Sequence, residues 1–474
     1  MRTCSRACKM YQIIDEQGNV RICSWSHNNL IGSVLEKDLN SLINSEKAVL
    51  FREKISRGDF SDCPKDNCPY LANDRMEEIM IDLEENEIYP EELYLGYEGV
   101  CNYHCTCCTS HLNMVRKPGV DYQEQYRKIE ESIRDILPHV KKISANGRGE
   151  LFVSKNILNI LSNWKPIAPK EDIKVALETN GSLFDEEHWK KIENLGQYHL
   201  RVAITVMSFN EDIYQFLSGC KYPISQIINN LKFVKSLREK GIINELELAT
   251  VIQEQNFREM PEFTRRCIEE FGVDSVRLRP IMPGGIYDES IQWFMDVRNP
   301  YHPYYEEFRK VMSNEIFKHP KVLLWSNQED SSRGENPYWK GKAQLEKRLD
   351  EEVRVTRLLN KIVSVEGLSC KIDNLMKEEK ACSLGIYGIG VIGKVFLKML
   401  SKENLNYDIH LYDKNEYGNT CGGYEILQPA ESNLKLSDVI IISPVKQARE
   451  IKDTISNFNG KLIILEDWMC QKTE

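Results

Sequence analysis

From residue 93 onward the chain repeats one alternation, in which a short apolar run is followed by a longer stretch whose apolar residues return every three or four positions. Six runs have strand character: LYLGYE at 93, KKISANG at 141, IKVALETNG at 173, HLRVAITV at 199, ELELATVIQE at 245 and SVRLRPI at 275. Between them Tyr122 to Leu137, Glu186 to Leu195, Ser225 to Lys240 and Glu259 to Phe271 read as helices. Strands alternating with amphipathic helices are the mark of βα units and a parallel sheet. Six such units predict a partial (βα)6 TIM-like barrel over residues 88–326.

The flanks read differently. Residues 1–75 form a small Cys-bearing module with a predicted hairpin, MYQIIDEQGNVRICSW, whose apolar runs flank the turn residues Asp15 to Asn19. A helical stretch from Asn28 to Arg57 then leads to Cys63 and Cys68. The polar, turn-rich segment Asn327 to Trp339 predicts a linker, and charged helices continue to residue 381. In residues 382–474 the order is strand LGIYG, a glycine turn, helix Val391 to Leu400, and strands IHLYD, DVIIIS and KLIIL. The expected fold class is therefore α/β: a partial barrel preceded by a Cys-rich module and followed by a small Rossmann-like parallel-sheet domain.

Composition narrows the function classes. A chain of 474 residues exceeds what one hydrophobic core usually supports, so several modules are expected. A formal net charge of -10 argues against a broad basic surface for nucleic acid or anionic lipid. The longest aliphatic runs, Val439 to Ile442 and Leu462 to Leu465, are strand-sized, and the first residues, MRTCSRACKMYQIIDE, lack an apolar signal core. No membrane span, no nucleic-acid partner and a cytoplasmic location are the expectations. There, 15 cysteines point to metal ligation or redox chemistry, because a disulfide framework would be reduced. Cys220, Cys267, Cys370, Cys382, Cys421 and Cys470 are scattered without ligand spacing and receive no role.

The stretch EGVCNYHCTCC sets Cys101, Cys105 and Cys108 in a CxxxCxxC spacing just after the first strand of the series, on the loop where barrel enzymes place their chemistry. Three thiolates on a short loop can hold one 4Fe-4S cubane and leave its fourth iron open. Zinc is the competing ligand, with His104 badly placed inside the CxxxC gap to complete a tetrahedron. Cys107 is out of the spacing and reads as a spare thiol.

This arrangement resembles the radical S-adenosylmethionine superfamily, whose members carry CxxxCxxC after the first strand of a partial barrel. The likeness extends to Gly147-Arg148-Gly149-Glu150 after the second strand, similar to that family's glycine-glycine-glutamate turn with Arg148 interposed. Glu178-Thr179-Asn180-Gly181 ends the third strand like the threonine-asparagine-glycine turn. Ser208 stands near the family's ribose serine, and Asn256 resembles a frequent asparagine after the fifth strand. The resemblance implies that Gly147, Gly149, Glu150, Asn180, Ser208 and Asn256 contact S-adenosylmethionine. It also implies a catalytic 4Fe-4S cluster, reductive cofactor cleavage to a 5'-deoxyadenosyl radical, and a reducing protein such as flavodoxin or ferredoxin.

Two further sites are expected. Cys8 and Cys23 frame Gly18 across the predicted hairpin, and Cys63 and Cys68 follow, so four thiols could saturate a second cluster. The frame resembles the SPASM or twitch auxiliary-cluster extension, which normally follows the barrel and here precedes it. Cys4 is an alternative to Cys8, and a zinc miniature domain competes with the whole set. At the other end, Gly388, Gly390 and Gly393 open a helix after a strand, and Asp413 ends the next strand, matching a dinucleotide fingerprint for NAD or another nucleotide. A likeness to short Rossmann-like modules on sugar-modifying enzymes directs the substrate expectation to a small, nucleotide- or carrier-linked carbohydrate. The rival readings are a peptide- or protein-modifying radical maturase and a non-catalytic zinc and nucleotide-binding scaffold.

Overall fold

The structure is a computed structural model that describes residues 2–26, 29–64, 68–83, 88–108, 121–282, 287, 289–324, 342–365, 368–400 and 407–470. The expected linker, Asn327 to Trp339, and the side chain of Cys470 lie outside the described residues. The chain divides into two compact units, residues 1–114, 118–285 and 292–336 in the first, and 115–117, 286–291 and 337–474 in the second.

The first unit is built on strands β1 (Arg2–Cys4), β2 (Met10–Ile13), β3 (Asn19–Ile22), β4 (Leu30–Ser33), β5 (Met80–Asp82), β6 (Glu92–Leu95) and β7 (Lys142–Ala145). The series continues with β8 (Lys174–Thr179), β9 (His199–Thr205), β10 (Glu245–Ile252), β11 (Ser275–Pro280) and β12 (Val322–Leu324). Among the described residues the main sheet has ten strands in the order β12-β11-β10-β9-β8-β7-β6-β2-β3-β4. Strands β6 to β12 are mutually parallel and stand in chain order, the outcome of successive helical crossovers. The seventh of them, Val322–Leu324, has three residues and is too short to carry a periodic signal.

The N-terminal hairpin is not a separate body. Strand β2 pairs in parallel with β6, Tyr11 opposite Leu93, and β3 and β4 continue the same sheet antiparallel. Strand β1 pairs with β5. One apolar cluster accordingly runs from Tyr11, Ile13 and Val20 through Leu93, Ile143, Val175 and Leu200 to Leu248 and Val276.

Alternation along the strands sorts the two faces of the sheet. Leu200, Val202 and Ile204 of β9, Leu246 and Leu248 of β10, and Val276 and Leu278 of β11 are buried in the apolar cluster. Arg201, Glu247, Arg277 and Arg279 occupy the alternate positions, so the opposite face is polar.

The second unit holds a sheet ordered β15-β16-β14-β13-β17-β18, from β13 (Ser383–Tyr387), β14 (Asp408–Tyr412), β15 (Thr420–Cys421), β16 (Tyr424–Leu427), β17 (Val439–Ile442) and β18 (Lys461–Ile464). All pairings are parallel except β15 with β16. Among the described residues no helix is long and apolar enough to cross a membrane.

Candidate metal centre

The loop after β6 carries Cys101, Cys105, Cys107 and Cys108, and all four line a cavity of about 240 Å³ at the ends of the parallel strands. Local hydrogen bonds shape this loop. The Tyr103 N–H donates to Cys101 Sγ (3.4 Å), and the Cys108 N–H donates to the Cys105 carbonyl (3.1 Å). His104 and Thr106 N–H groups donate to the Ser218 and Leu217 carbonyls, both at 2.8 Å, which docks the loop on the helix Glu211–Ser218. His104 is absent from the cavity lining.

Without a cation these thiols are poorly placed to ionise. Burial, and then the Glu150 carboxylate, push Cys101 up to about 12, while burial and the neighbouring cysteines hold Cys105 well above the usual thiol range. A set of half-buried thiols lining one cavity is what a multivalent iron centre requires, because the metal supplies the charge that ionises them. The donor set therefore fits a 4Fe-4S cluster on Cys101, Cys105 and Cys108.

Two turns close against this loop. Gly147 and Gly149 line the same cavity. A Cβ on Gly149 would lie 2.4 Å from the Val100 carbonyl oxygen and 2.9 Å from that of Glu98, so only glycine lets the backbones approach this closely. The Glu150 N–H seals the contact by donating to Val100 O at 2.7 Å. Glu150 itself is fully buried and does not line the cavity. Its carboxylate accepts from Thr179 Oγ1 (2.6 Å), Asn180 N (2.6 Å) and Phe152 N (3.2 Å), clamping the turn after β8. Asn180 lines the cavity and donates through Nδ2 to Asn102 Oδ1 at 2.9 Å, tying the third strand end to the cysteine loop.

Ser208 and Asn256 are placed apart from the cavity. Ser208 Oγ accepts from Asn210 N (2.8 Å) within its own turn. Asn256 donates to Met207 O (2.9 Å) and Val251 O (3.0 Å) and accepts from Gln253 N (2.7 Å), binding the ends of β9 and β10 to each other. Neither side chain lines the cavity.

Arg148, which interrupts the glycine turn, points into the N-terminal hairpin. Its Nη1 donates to the Ile14 carbonyl, and Nη2 lies 3.6 Å from Glu16 Oε2. Glu16 accepts in turn from Gly99 N at 3.2 Å. The hairpin tip thus supports both the cysteine loop and the glycine turn, a link between residues about 83 apart that no local pattern announces.

At the other end of the hairpin Cys4, Cys23, Cys63 and Cys68 line one small apolar cavity, with Arg6 stacked at 4.1 Å over Trp25 beside it. The structure brings together three of the four cysteines expected there and puts Cys4 where Cys8 was expected. The reason is local: Ser5–Lys9 forms a helical turn that directs Cys8 toward the buried Arg52, away from the cavity. Burial pushes both Cys8 and Cys63 up to about 12. Among the described residues no three His, Cys, Asp or Glu side chains converge on a single-ion geometry.

In the second unit Gly388 and Gly390 stand between β13 and the helix Val391–Leu400, and Gly393 lies in the first turn of that helix. A Cβ on Gly393 would meet Gly388 O at 2.1 Å, so this glycine serves close packing. Asp413 directly follows β14 and accepts from Ile389 N (2.7 Å), Asn415 N (2.8 Å) and Glu416 N (3.2 Å), which engages both carboxylate oxygens with backbone.

The geometry described is that of a cysteine loop facing two turns at the ends of parallel strands. Residues 99–267 match the family model of the Radical SAM superfamily. A curated relative, an uncharacterized protein of Methanocaldococcus jannaschii, is 26% identical over 165 residues, covering 33% of this chain and 50% of the relative. The chain thus spans about half the length of the curated relative it matches. Among solved structures it overlaps the radical S-adenosylmethionine methyltransferase TsrM of Kitasatospora setae with cobalamin and a 4Fe-4S cluster bound. That overlap has 16% identity and a TM-score of 0.26, over 38% of this chain and 35% of that one. The same enzyme with tryptophan substrate and a SAM analogue gives 15% identity and 0.28, over 40% and 36%.

Sequence reasoning passed over the charged cluster on the sheet's polar face. Arg201, Arg277 and Arg279 surround the Glu247 carboxylate, which is 3% exposed, at 3.0, 2.8 and 3.9 Å. The signal was present in ELEL and SVRLRP, whose alternating charges mark a strand with one polar face.

Proposed function

We propose that this protein is a radical enzyme that reductively cleaves S-adenosylmethionine at a 4Fe-4S cluster held by Cys101, Cys105 and Cys108. The observation that carries this reading is the single cavity lined by those three thiols together with Gly147, Gly149 and Asn180. Bound there, the cluster would supply one electron to the cofactor's sulfonium, releasing methionine and a 5'-deoxyadenosyl radical that takes hydrogen from substrate.

The chain's own residues perform positioning and exclusion. Gly147 and Gly149 let the turn pack against the cysteine loop and β8, where a Cβ would collide with Glu178 Oε2 and Val100 O. Glu150 fixes the Thr179-Asn180 turn, and Asn180 fixes Asn102 beside the first ligand. Ser208 and Asn256 act as braces for the strand ends. In this reading the parallel strands make a partial barrel that would shield the reacting centre from water, as radical chemistry requires.

A second 4Fe-4S cluster in the N-terminal module is part of the same reading, with Cys4, Cys23, Cys63 and Cys68 as its ligands and Cys8 outside the set. The four thiols lining one apolar cavity support it. The second unit is read as a Rossmann-like domain, in which Asp413 serves the glycine turn's own backbone instead of a ribose. The substrate is a small polar molecule, for which a phosphate-bearing carbohydrate fits the polar face of the sheet.

The test is iron and sulfide per chain after anaerobic reconstitution, with 5'-deoxyadenosine formation on reduction. Wild type should hold about eight irons, and the Cys101/Cys105/Cys108 triple alanine variant about four, without 5'-deoxyadenosine. Zinc in place of iron, or cofactor cleavage that survives the triple substitution, would refute the proposal.

A further inference from the structure

Four hydrogen bonds hold the Glu247 carboxylate, three of them at one oxygen. Arg277 donates to it through Nε (2.8 Å) and Nη2 (2.9 Å), Arg201 through Nη2 (3.0 Å), and Ser275 through its hydroxyl (3.3 Å). Burial raises its carboxyl, but the two nearer guanidiniums outweigh burial and hold it below the usual carboxylate range.

Arg279 is the third guanidinium of this group and the one left over. Its Nη2 stays 3.9 Å from Glu247, beyond hydrogen-bonding distance, and its Nε is buried without a partner among the described residues. It comes from the far strand β11, while the cysteine loop and glycine turn follow β6 and β7, and it lines the same cavity from that opposite side. A desolvated guanidinium N–H left unmet is costly, and a planar fork of donors matches a carboxylate or phosphate by two parallel hydrogen bonds. Among the described residues lining the cavity the carboxylate is Glu178, which approaches Gly147 and lies on β8, three strands from Arg279.

We infer that Arg279 is the anchor for an anionic group, phosphate or carboxylate, of the substrate, so that the cavity takes an acidic small molecule. This rests on the radical reading above for what happens to the bound molecule, but not for the anion site itself. Arg201, Arg277 and Glu247 are positioning residues: the spare positive charge they create prevents Arg279 from collapsing into a closed ion pair. A chain with net charge -10 thereby presents to its cavity a guanidinium, Arg279, that Glu247 does not pair at hydrogen-bonding distance. The local field selects an acidic substrate from a surface that repels one.

Inorganic phosphate is the probe. Its 31P line width is measured on the full chain, both metal-free and reconstituted, for wild type, Arg279→Gln and Arg279→Lys. In parallel, S-adenosylmethionine affinity is read from the change it causes in the electron paramagnetic resonance spectrum of the reduced cluster. Saturable phosphate broadening is expected in wild type, at least tenfold weaker in Arg279→Gln and intermediate in Arg279→Lys, with cofactor affinity within about twofold throughout. Equal broadening in wild type and Arg279→Gln would overturn the assignment. So would a tenfold loss of cofactor affinity in Arg279→Gln, since the guanidinium would then be holding the cofactor's own carboxylate. Failure of the radical reading would appear separately, as wild-type protein that binds phosphate but forms no 5'-deoxyadenosine.

Discussion

Gly149→Ala tests the contact on which the proposed centre depends. The three nearest atoms to the new methyl group are all backbone: Val100 O at 2.4 Å, Glu98 O at 2.9 Å and Gly99 C at 3.0 Å. No side-chain rotation can relieve them, so the loop carrying Cys101 has to move. Overpacking of this kind costs about 1–3 kcal/mol, and displacement of Val100 O forfeits the 2.7 Å bond from Glu150 N, worth roughly 1 kcal/mol. The stiffer unfolded chain returns about 0.4–1 kcal/mol, leaving a net loss of about 1–3 kcal/mol. The assay is the urea midpoint of the first unit's transition, together with iron retained after reconstitution. Gly390→Ala is the control, because a Cβ there meets nothing within 4 Å and its φ is not positive. It should stay within about 0.5 kcal/mol of wild type. A Gly149→Ala protein with unchanged midpoint and full iron would show that the close approach is not needed, and the account of the glycine turn would fail.

Two further outcomes are expected. Cys4→Ser should lose about four irons from reconstituted protein while Cys8→Ser keeps them, counted by iron analysis on the background of the Cys101/Cys105/Cys108 triple variant; the reverse pattern would restore Cys8 as the ligand. In the second unit Gly393→Ala should be strongly destabilising, because its methyl would fall 2.1 Å from Gly388 O, whereas Gly390→Ala leaves that unit's melting temperature unchanged.

Much of the first unit was legible because its signals are periodic and local. The runs at 141, 173, 199, 245 and 275 each contain a strand of the parallel sheet, and CxxxCxxC announced itself by spacing alone. What escaped was non-local. The choice between Cys4 and Cys8 depends on one helical turn, Ser5–Lys9, five residues that carry no periodicity. The role of Arg148 depends on a hairpin tip far away in sequence, and the arginine cluster around Glu247 depends on the register of three neighbouring strands. Ser208, Asn256 and Asp413 were found by motif position, but a motif gives no account of where a side chain spends its hydrogen bonds.

The pairing of β2 with β6 also sets an order of events during synthesis. Glu16 and Gly99 are separated by 83 residues, which a ribosome adding roughly 5–20 residues per second takes about 4–17 seconds to span. Throughout that interval the strand edge of Met10–Ile13 has no neighbour on its β6 side, and Cys4 and Cys23 meet Cys63 and Cys68 only once the chain has grown that far. Metal loading of the N-terminal thiols therefore waits on Cys68 at the earliest, and a fragment ending near residue 75 should emerge with the Met10–Ile13 edge unpaired instead of as a transferable cassette.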